Sequence, residues 1–383
     1  MPQFKEEIVL KNVMDNDKIR TATVTWITWP NYGSYLQAYA LQHVINKIGY
    51  NNEIIDDSRI VKAKYYTSLG IFGKLKFLIK RLMGLNEPIG LSDSERDILY
   101  KNFKNSFLKI NDSFFDLNEL SDKYDVFIAG SDQIWFPDDK VYNSFYYLSF
   151  TQNKKISYAP SVGVVTYPQK YKSIVKQHIE QFSHISVREG KGKELLSTFV
   201  DKDIKVCLDP TLLLTKDEWK EVAASTSISY PYILLYMLSF NEEYLIWAKS
   251  YASQKGIKLI SISTGVEYEP YVDEIFTAGP SEFISLINNA EEILTDSFHG
   301  TVFSILHHKK FITFKRFKDT QSNNQNSRLY NLFRLTGIEN RFLSEGELNT
   351  FPDFKYLNFD LVDKKLDEER EKSISFLKKS ILE

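Results

Sequence analysis

The sequence holds one cysteine, Cys207, so no internal disulfide framework can form. A lone thiol beside Leu208 reads as a small core residue of a protein kept in a reducing compartment. Long apolar runs are missing too. The longest, Tyr232 to Leu238, is far too short to cross a bilayer, and the first 20 residues lack the apolar stretch of a secretion signal. Charge of one sign is absent: 48 basic residues against 50 acidic ones leave a formal net charge of −2. The isoelectric point is near 6.4, so no overall field favours nucleic acid. There is no Cys/His metal spacing, no Walker loop, no Gly-Xaa-Ser-Xaa-Gly elbow and no dinucleotide fingerprint. No cofactor or metal is therefore expected, and any phosphate chemistry must rely on Arg, Lys and backbone donors. Repeats and low-complexity tracts are missing as well. A soluble, cytoplasmic chain is the expectation.

Aromatic residues are plentiful instead, 23 Tyr and 27 Phe in 383 residues, which suits sugar-facing clefts as well as cores. With 43% hydrophobic residues the chain can bury a large core, and its length predicts two domains. Thr21 to Trp29 reads as a strand, broken at Pro30-Asn31-Tyr32-Gly33, with Ser34 as the expected helix cap. Leu36, Ala40, Val44 and Ile48 mark a helix ended by Gly49, and Glu53 to Asp57 the next strand. This strand–turn–helix–strand opening predicts a parallel α/β sheet. Strands follow at Tyr124 to Ala129, Lys155 to Ala159, His184 to Val187 and Lys205 to Leu208. The pattern loosens over 215–230, the expected linker. A second α/β series runs through Tyr232 to Leu238, Glu242 to Lys255, Lys258 to Ser263, Ser281 to Ala290, Lys310 to Phe314 and a helix from Arg328 to Gly337. The tail, Leu361 to Leu382, is one amphipathic helix expected to fold back on the first domain. His178 and His184 have no metal-like neighbours and read as structural.

One segment departs from this alternation. Residues 61–85 hold Lys62, Lys64, Lys74, Lys76, Lys80 and Arg81 and no acidic residue, with Leu75, Leu78, Ile79 and Leu82 on one helical face. Such a helix suits an anionic membrane surface or an acidic partner; the competing reading is an ordinary amphipathic helix with a solvated basic side.

The chemistry concentrates where strands end. The stretch from Ile293 to Ile305 reads as a strand, a polar turn and a helix beginning near Gly300 or Thr301, with His299 in the turn. Backbone N–H groups at such turns face anions, and an imidazole there can pass a proton; the alternative is a histidine that only braces a loop. Gly130 at a strand end lets a ligand approach the backbone. Ser131, Asp132 and Gln133 then offer hydroxyl, carboxylate and amide groups, with Trp135 as a stacking face; a structural turn is the competing reading. Arg188 ends another strand with a fork that matches carboxylate or phosphate, unless it pairs with Glu189 or another surface carboxylate. Arg328 begins a helix beside the Asn/Ser/Gln-rich stretch 321–327, a place for a lid.

Six pieces, in order, resemble the polysaccharide pyruvyl transferase family. They are Asn31-Tyr32-Gly33-Ser34 with Leu36-Gln37-Ala38-Tyr39-Ala40-Leu41, then Gly130-Ser131-Asp132-Gln133-Ile134-Trp135, then Ser157-Tyr158-Ala159-Pro160-Ser161-Val162-Gly163. Ser186-Val187-Arg188-Glu189, Asp209-Pro210-Thr211 and Thr295-Asp296-Ser297-Phe298-His299-Gly300-Thr301 complete the set. The resemblance runs from about residue 21 to 340. It implies two Rossmann-like domains in a GT-B-like arrangement with a central cleft: an acceptor-side domain over 1–220, a donor-side domain over 221–350, and a returning helix over 351–383. It also implies phosphoenolpyruvate as co-substrate and a bacterial surface-glycan sugar as acceptor, expected on a polyprenyl-diphosphate carrier at the inner face of the membrane. The acceptor receives a pyruvate ketal.

In that reading His299 and Asp132 are the catalytic pair. Arg188, Ser297, Gly300, Thr301, Arg328, Lys315 and Arg316 face the donor. Asn31, Tyr32, Gly33, Ser34, Gln37, Ser131, Gln133, Trp135 and Ser161 face the acceptor. Some relatives carry an arginine two residues before the histidine, where this chain has Ser297, so Arg328, Lys315 or Arg316 is expected to supply that charge. Two other functions compete: a glycosyltransferase using a nucleotide-sugar on the same scaffold, and a carbohydrate-binding relative without turnover.

Overall fold

The computed structural model of the chain describes residues 19–68, 94–114, 116–225, 228–321, 324–350 and 357–383. They divide into two compact units. The first holds the described residues up to Val162 together with Thr166–Leu213 and Lys372–Glu383; the second holds Gly163–Val165 and Leu214–Glu371.

In the first unit β1 (Arg20–Val24), β2 (Asn51–Ile55), β3 (Ile110–Asn111), β4 (Val126–Ala129) and β5 (Lys154–Ser157) form one sheet in the order β3-β2-β1-β4-β5. Every pairing is parallel, with Thr23 beside Ile54 on one side and Ile128 on the other. β6 (Ile185–Val187) and β7 (Ile204–Val206) make a parallel pair, joined to the first sheet by a bridge between Ile156 and His184. Parallel strands need crossover connections that cover the sheet faces, so a central strand is apolar throughout: Val126–Ala129 is buried at every position.

The first crossover, α1 (Tyr32–Lys47), is buried over its whole first half. Its start differs from expectation. Asn31, not Ser34, is the cap, accepting the Ser34 N–H at 3.1 Å. Asn31 is extended, as a cap must be, whereas Ser34 already lies inside the first turn. That leaves the Ser34 hydroxyl for another partner. The remaining helices are α2 (Ser58–Ser68), α3 (Glu95–Phe107), α4 (Asn118–Lys123), α5 (Gln169–Ile179) and α6 (Gly190–Leu196). Of the basic segment, the part carrying Leu75 to Leu82 lies outside the described residues, and with it the membrane-contact expectation.

The second unit opens with a short helix, α7 (Lys216–Lys220), inside the stretch expected to be a linker. A full capping box from Thr215 and Glu218 makes this five-residue helix. The six-stranded sheet comprises β8 (Tyr232–Tyr236), β9 (Lys258–Ile262), β10 (Glu274–Phe276), β11 (Glu292–Thr295), β12 (Lys310–Phe314) and β13 (Phe342–Leu343), in the order β10-β9-β8-β11-β12-β13. Numbered within the unit, that is 3-2-1-4-5-6, all parallel, the doubly wound Rossmann order. Its helices are α8 (Glu242–Lys255), α9 (Pro280–Asn289), α10 (Phe298–Leu306) and α11 (Ser327–Thr336). Residues of the sheet and of α8, among them Leu235, Met237, Leu245, Leu294, Ile312 and Phe314, form a continuous core. The last helix, α12 (Phe359–Leu382), supplies the first unit with its final residues: Leu208 N–H donates to Ser373 Oγ, and Lys154 Nζ to the Ile381 carbonyl, each at 3.0 Å. Among the described residues no helix is long and apolar enough to cross a membrane.

Candidate active site

In doubly wound sheets ligands bind beyond the carboxyl ends of the strands, where the strand order reverses. Here the reversals lie between β1 and β4 in the first unit and between β8 and β11 in the second.

At the first reversal the chain leaves β4 through Gly130 and Ser131 to Asp132, whose φ of 72° is left-handed, a conformation Asp tolerates better than most residues. The bend aims the carboxylate across the crevice, where Ser34 Oγ of α1 donates to Asp132 Oδ2 at 2.5 Å. Gln37, one turn further along α1, donates to Thr25 Oγ1 and to the Ser34 carbonyl, both at 2.9 Å. Ser131 Oγ donates to the Ala159 carbonyl at 2.9 Å, and Ser161 N–H to the Asp132 carbonyl at 2.7 Å. The loops after β4 and β5 are thereby laced together, which fixes the Asp132 bend from the β5 side. Ser161 Oγ and Val162 N–H both donate to Glu189 Oε1, at 3.1 and 2.9 Å.

Arg188 follows β6 in the same network. Its Nη1 donates to Asp209 Oδ2 at 2.5 Å, with the Arg188 side chain only 2% exposed. Burial alone would lower the pKa of this guanidinium, yet Asp209, Asp132 and Glu189 together raise it above its ordinary value. Asp209 also caps the turn at Pro210–Leu212, accepting from the N–H and hydroxyl of Thr211. The ion-pair partner of Arg188 is thus a deeply buried carboxylate three residues past the neighbouring strand, not its neighbour Glu189. The clue lies in the pairing: β6 and β7 run parallel, which sets their carboxyl ends side by side.

The other residues expected at the acceptor are more structural. Tyr32 packs on Tyr100 and under Arg96. Gly33 is buried in the first turn of α1, and Gln133 N–H donates to Asp132 Oδ1 at 2.8 Å. Trp135 offers no open stacking face: it is 1% exposed, stacked on Tyr147 at 5.4 Å, with its indole N–H on the Tyr146 carbonyl. Gly130 is explained by packing, since a Cβ there would lie 2.8 Å from Thr23 Cγ2. His178 stacks on Tyr147, and His184 bridges to Ile156. Among the described residues no group of three His, Cys, Asp or Glu could hold a metal ion.

At the second reversal Asp296 spans the crevice. It accepts Leu238 N–H at 2.7 Å, Ser239 N–H at 3.1 Å and Ser239 Oγ at 2.6 Å. Burial raises its pKa, opposed by Arg316 and by these hydrogen bonds. Ser297 then caps α10, accepting Gly300 N–H at 3.3 Å, so the helix begins at Phe298, ahead of the expected start. His299 therefore sits in the first helical turn, 8% exposed, with its ring edge-on to Phe298. Gly300 and Thr301 face the protein. A Cβ on Gly300 would collide with Thr295 Oγ1, and the Thr301 hydroxyl bonds the Ser297 carbonyl and Thr313 Oγ1.

Of the three cations expected to replace the missing arginine, Arg328 meets the histidine's helix turn. Its guanidinium is 5.8 Å from the Phe298 ring and donates to Gln325 Oε1 at 2.9 Å. Arg316 acts electrostatically on Asp296. Lys315 is turned to Asp319 and Glu347, at 3.6 and 4.0 Å.

A search of curated proteins finds no match to this chain. Among solved structures, the glycosyltransferase from Rickettsia africae is 13% identical over 94% of each chain, with a TM-score of 0.46. The UDP-GlcNAc 2-epimerase of Methanocaldococcus jannaschii, solved with UDP-GlcNAc and UDP, is 13% identical over 92% of this chain and 93% of its own, with a TM-score of 0.45. Arabidopsis thaliana UGT89C1, complexed with quercetin, is 11% identical over 95% of this chain and 100% of its own, with a TM-score of 0.49. The family model for polysaccharide pyruvyl transferase matches residues 31–316, a span that takes in Asp132, Arg188 and His299. The chain belongs to the polysaccharide pyruvyl transferase family and is a transferase.

Proposed function

We propose that the protein moves the pyruvyl group of phosphoenolpyruvate onto two hydroxyls of a sugar in a surface-polysaccharide precursor, forming a ketal and releasing phosphate. The balance is simple. C3 of the donor gains a proton and becomes a methyl group, the C2–O bond to phosphate breaks, and two C–O bonds form at C2. Of the two hydroxyl protons lost by the sugar, one balances that gained by C3 and the other leaves with phosphate.

The observation that carries the reading is the place of His299, in the first turn of α10 at the strand reversal of a Rossmann unit, within a chain matched by the family. A helix N-terminus favours an anion, and an imidazole there can protonate C3 or the leaving phosphate. Arg328 and Arg316 are assigned the donor's carboxylate and phosphate, each charge-assisted bond contributing roughly 1.5–3 kcal/mol. Asp132, held by Ser34, is assigned the acceptor hydroxyl as base or ligand. Arg188 is assigned the positioning of that carboxylate through its pair with Asp209. A polyprenyl-diphosphate-linked acceptor and work at the inner face of the membrane belong to the same proposal.

The test is incubation of the full chain with phosphoenolpyruvate and lipid-linked oligosaccharides, reading free phosphate and glycan mass. Phosphate release is expected together with a glycan heavier by pyruvic acid less one water, and both should be lost in His299→Ala. Consumption of a UDP-sugar with no use of phosphoenolpyruvate would make the protein a glycosyltransferase instead.

A further inference from the structure

We infer that a cavity in the first unit, walled by Trp26, Trp29 and Tyr146, is the subsite that holds a sugar ring of the acceptor. This assignment rests on the transfer reaction proposed above and names where its glycan binds. The cavity holds about 680 Å³, within the roughly 300–1,000 Å³ of small-molecule sites. Val61 adds to its apolar wall, and Lys64, Asp139 and Asn143 supply polar groups. A mostly apolar, ring-bearing wall with a few polar groups suits a pyranose, whose C–H faces pack on aromatic rings while its hydroxyls reach donors and acceptors.

The wall is built rather than accidental. Trp26 meets Tyr146 edge-on at 6.3 Å. The Tyr146 hydroxyl donates to the fully buried Asp57 at 2.8 Å, and Thr28 Oγ1 donates to the other oxygen of that carboxylate at 2.6 Å. Tyr146 is thereby locked as a wall, and its phenol feels the charge of Asp132 as well as Asp57. The cavity thus lies within electrostatic reach of the carboxylate assigned to the acceptor hydroxyl. Its polar groups are ordered in turn: Lys64 Nζ bonds the Tyr142 carbonyl, Lys170 Nζ lies 2.6 Å from Asp139, and Asn143 caps the turn Ser144–Tyr147. Trp29 is 43% exposed, an indole left at the surface where burial would otherwise be favoured.

The experiment is tryptophan fluorescence of the full chain, without donor, titrated with a panel of methyl hexosides and N-acetylhexosaminides, with UDP, and with decanol. At least one saccharide is expected to shift the emission, and Trp29→Ala to weaken that binding about tenfold while Trp29→Phe retains most of it. No response to any saccharide, an unchanged response in Trp29→Ala, or a response to decanol or UDP alone would overturn the subsite. Saccharide binding without phosphate release would leave the subsite standing and fail the reaction. Phosphate release with an acceptor KM unmoved by Trp29→Ala would do the reverse.

Discussion

The two strand reversals share a topology and differ in what fills them. The crevice between β1 and β4 is crowded with charge: Asp132, Arg188, Asp209, Glu189 and Asp57 are all buried there or beside it. The crevice between β8 and β11 holds one buried carboxylate, Asp296, tied to backbone N–H groups, and one histidine on a helix turn. Charges that hold one another in place make the first crevice rigid and costly to disturb. The second commits fewer groups to its own structure, and the first turn of α10 carries no acidic residue, which suits an anion.

The largest expected difference follows from Arg188 and Asp209. Removing one partner of a buried ion pair leaves an uncompensated charge, so Arg188→Ala should lose about 3–5 kcal/mol in urea unfolding. His299→Ala should lose roughly 1 kcal/mol, the ordinary cost of a substitution, and most of the activity. Equal losses of stability would erase the contrast between the crevices.

Two buried groups, one in each unit, should respond to pH in opposite directions. Burial pushes Asp57 up to about 6 from 3.8. The folded state then holds this proton more tightly than the unfolded one, so Asp57 contributes stability that grows as pH falls from about 6 to about 4, by on the order of 3 kcal/mol. In the second unit burial pushes His307 down to about 3 from 6.5. Its unfolded form takes the proton first, so the contribution of His307 is lost as pH falls below about 6.5. Hydrogen exchange of amides in the two sheets reads each contribution as the difference between wild type and variant: Asp57→Asn should remove its gain toward low pH, and His307→Gln its loss, each in its own unit.

A smaller effect sharpens the packing of the second crevice. Gly300→Ala places a methyl against Thr295 Oγ1 and 3.0 Å from Tyr236 Cδ1, so a loss of about 1–3 kcal/mol is expected from thermal unfolding. At the far end of the scale, Lys191 and Glu194 pair at the surface at 2.6 Å. Their removal should change neither stability nor activity measurably.

Where punctuation was strong, the elements were legible. The helix Glu242–Lys255 lies between its cap Asn241 and Gly256 at φ 64°, and the strand Lys310–Phe314 matches its expected limits. Strand ends were less so. Thr21 to Trp29 continues apolar beyond Val24 because Ile27 is buried in a loop, and the length of β1 is set by its partners β2 and β4. At the first crevice Asp132, Ser34, Ser131 and Ser161 do converge, since each follows a strand or opens a helix at one sheet edge. The pairing of Arg188 with Asp209 needed the strand order, which no local pattern carries. Trp135 looked like a platform because its neighbours are polar, yet the stack on Tyr147 buries it. The basic stretch 61–85 is only partly described, through α2.

The most direct test follows the carbon of the donor. Phosphoenolpyruvate labelled with ¹³C at C2 is given to the full chain with a lipid-linked glycan, and the product is read by NMR. A quaternary ketal carbon bonded to two sugar oxygens is expected with wild type, and none with a folded His299→Ala variant. A ketal formed equally well by His299→Ala, or no label on the glycan while a UDP-sugar is consumed, would contradict this chemistry.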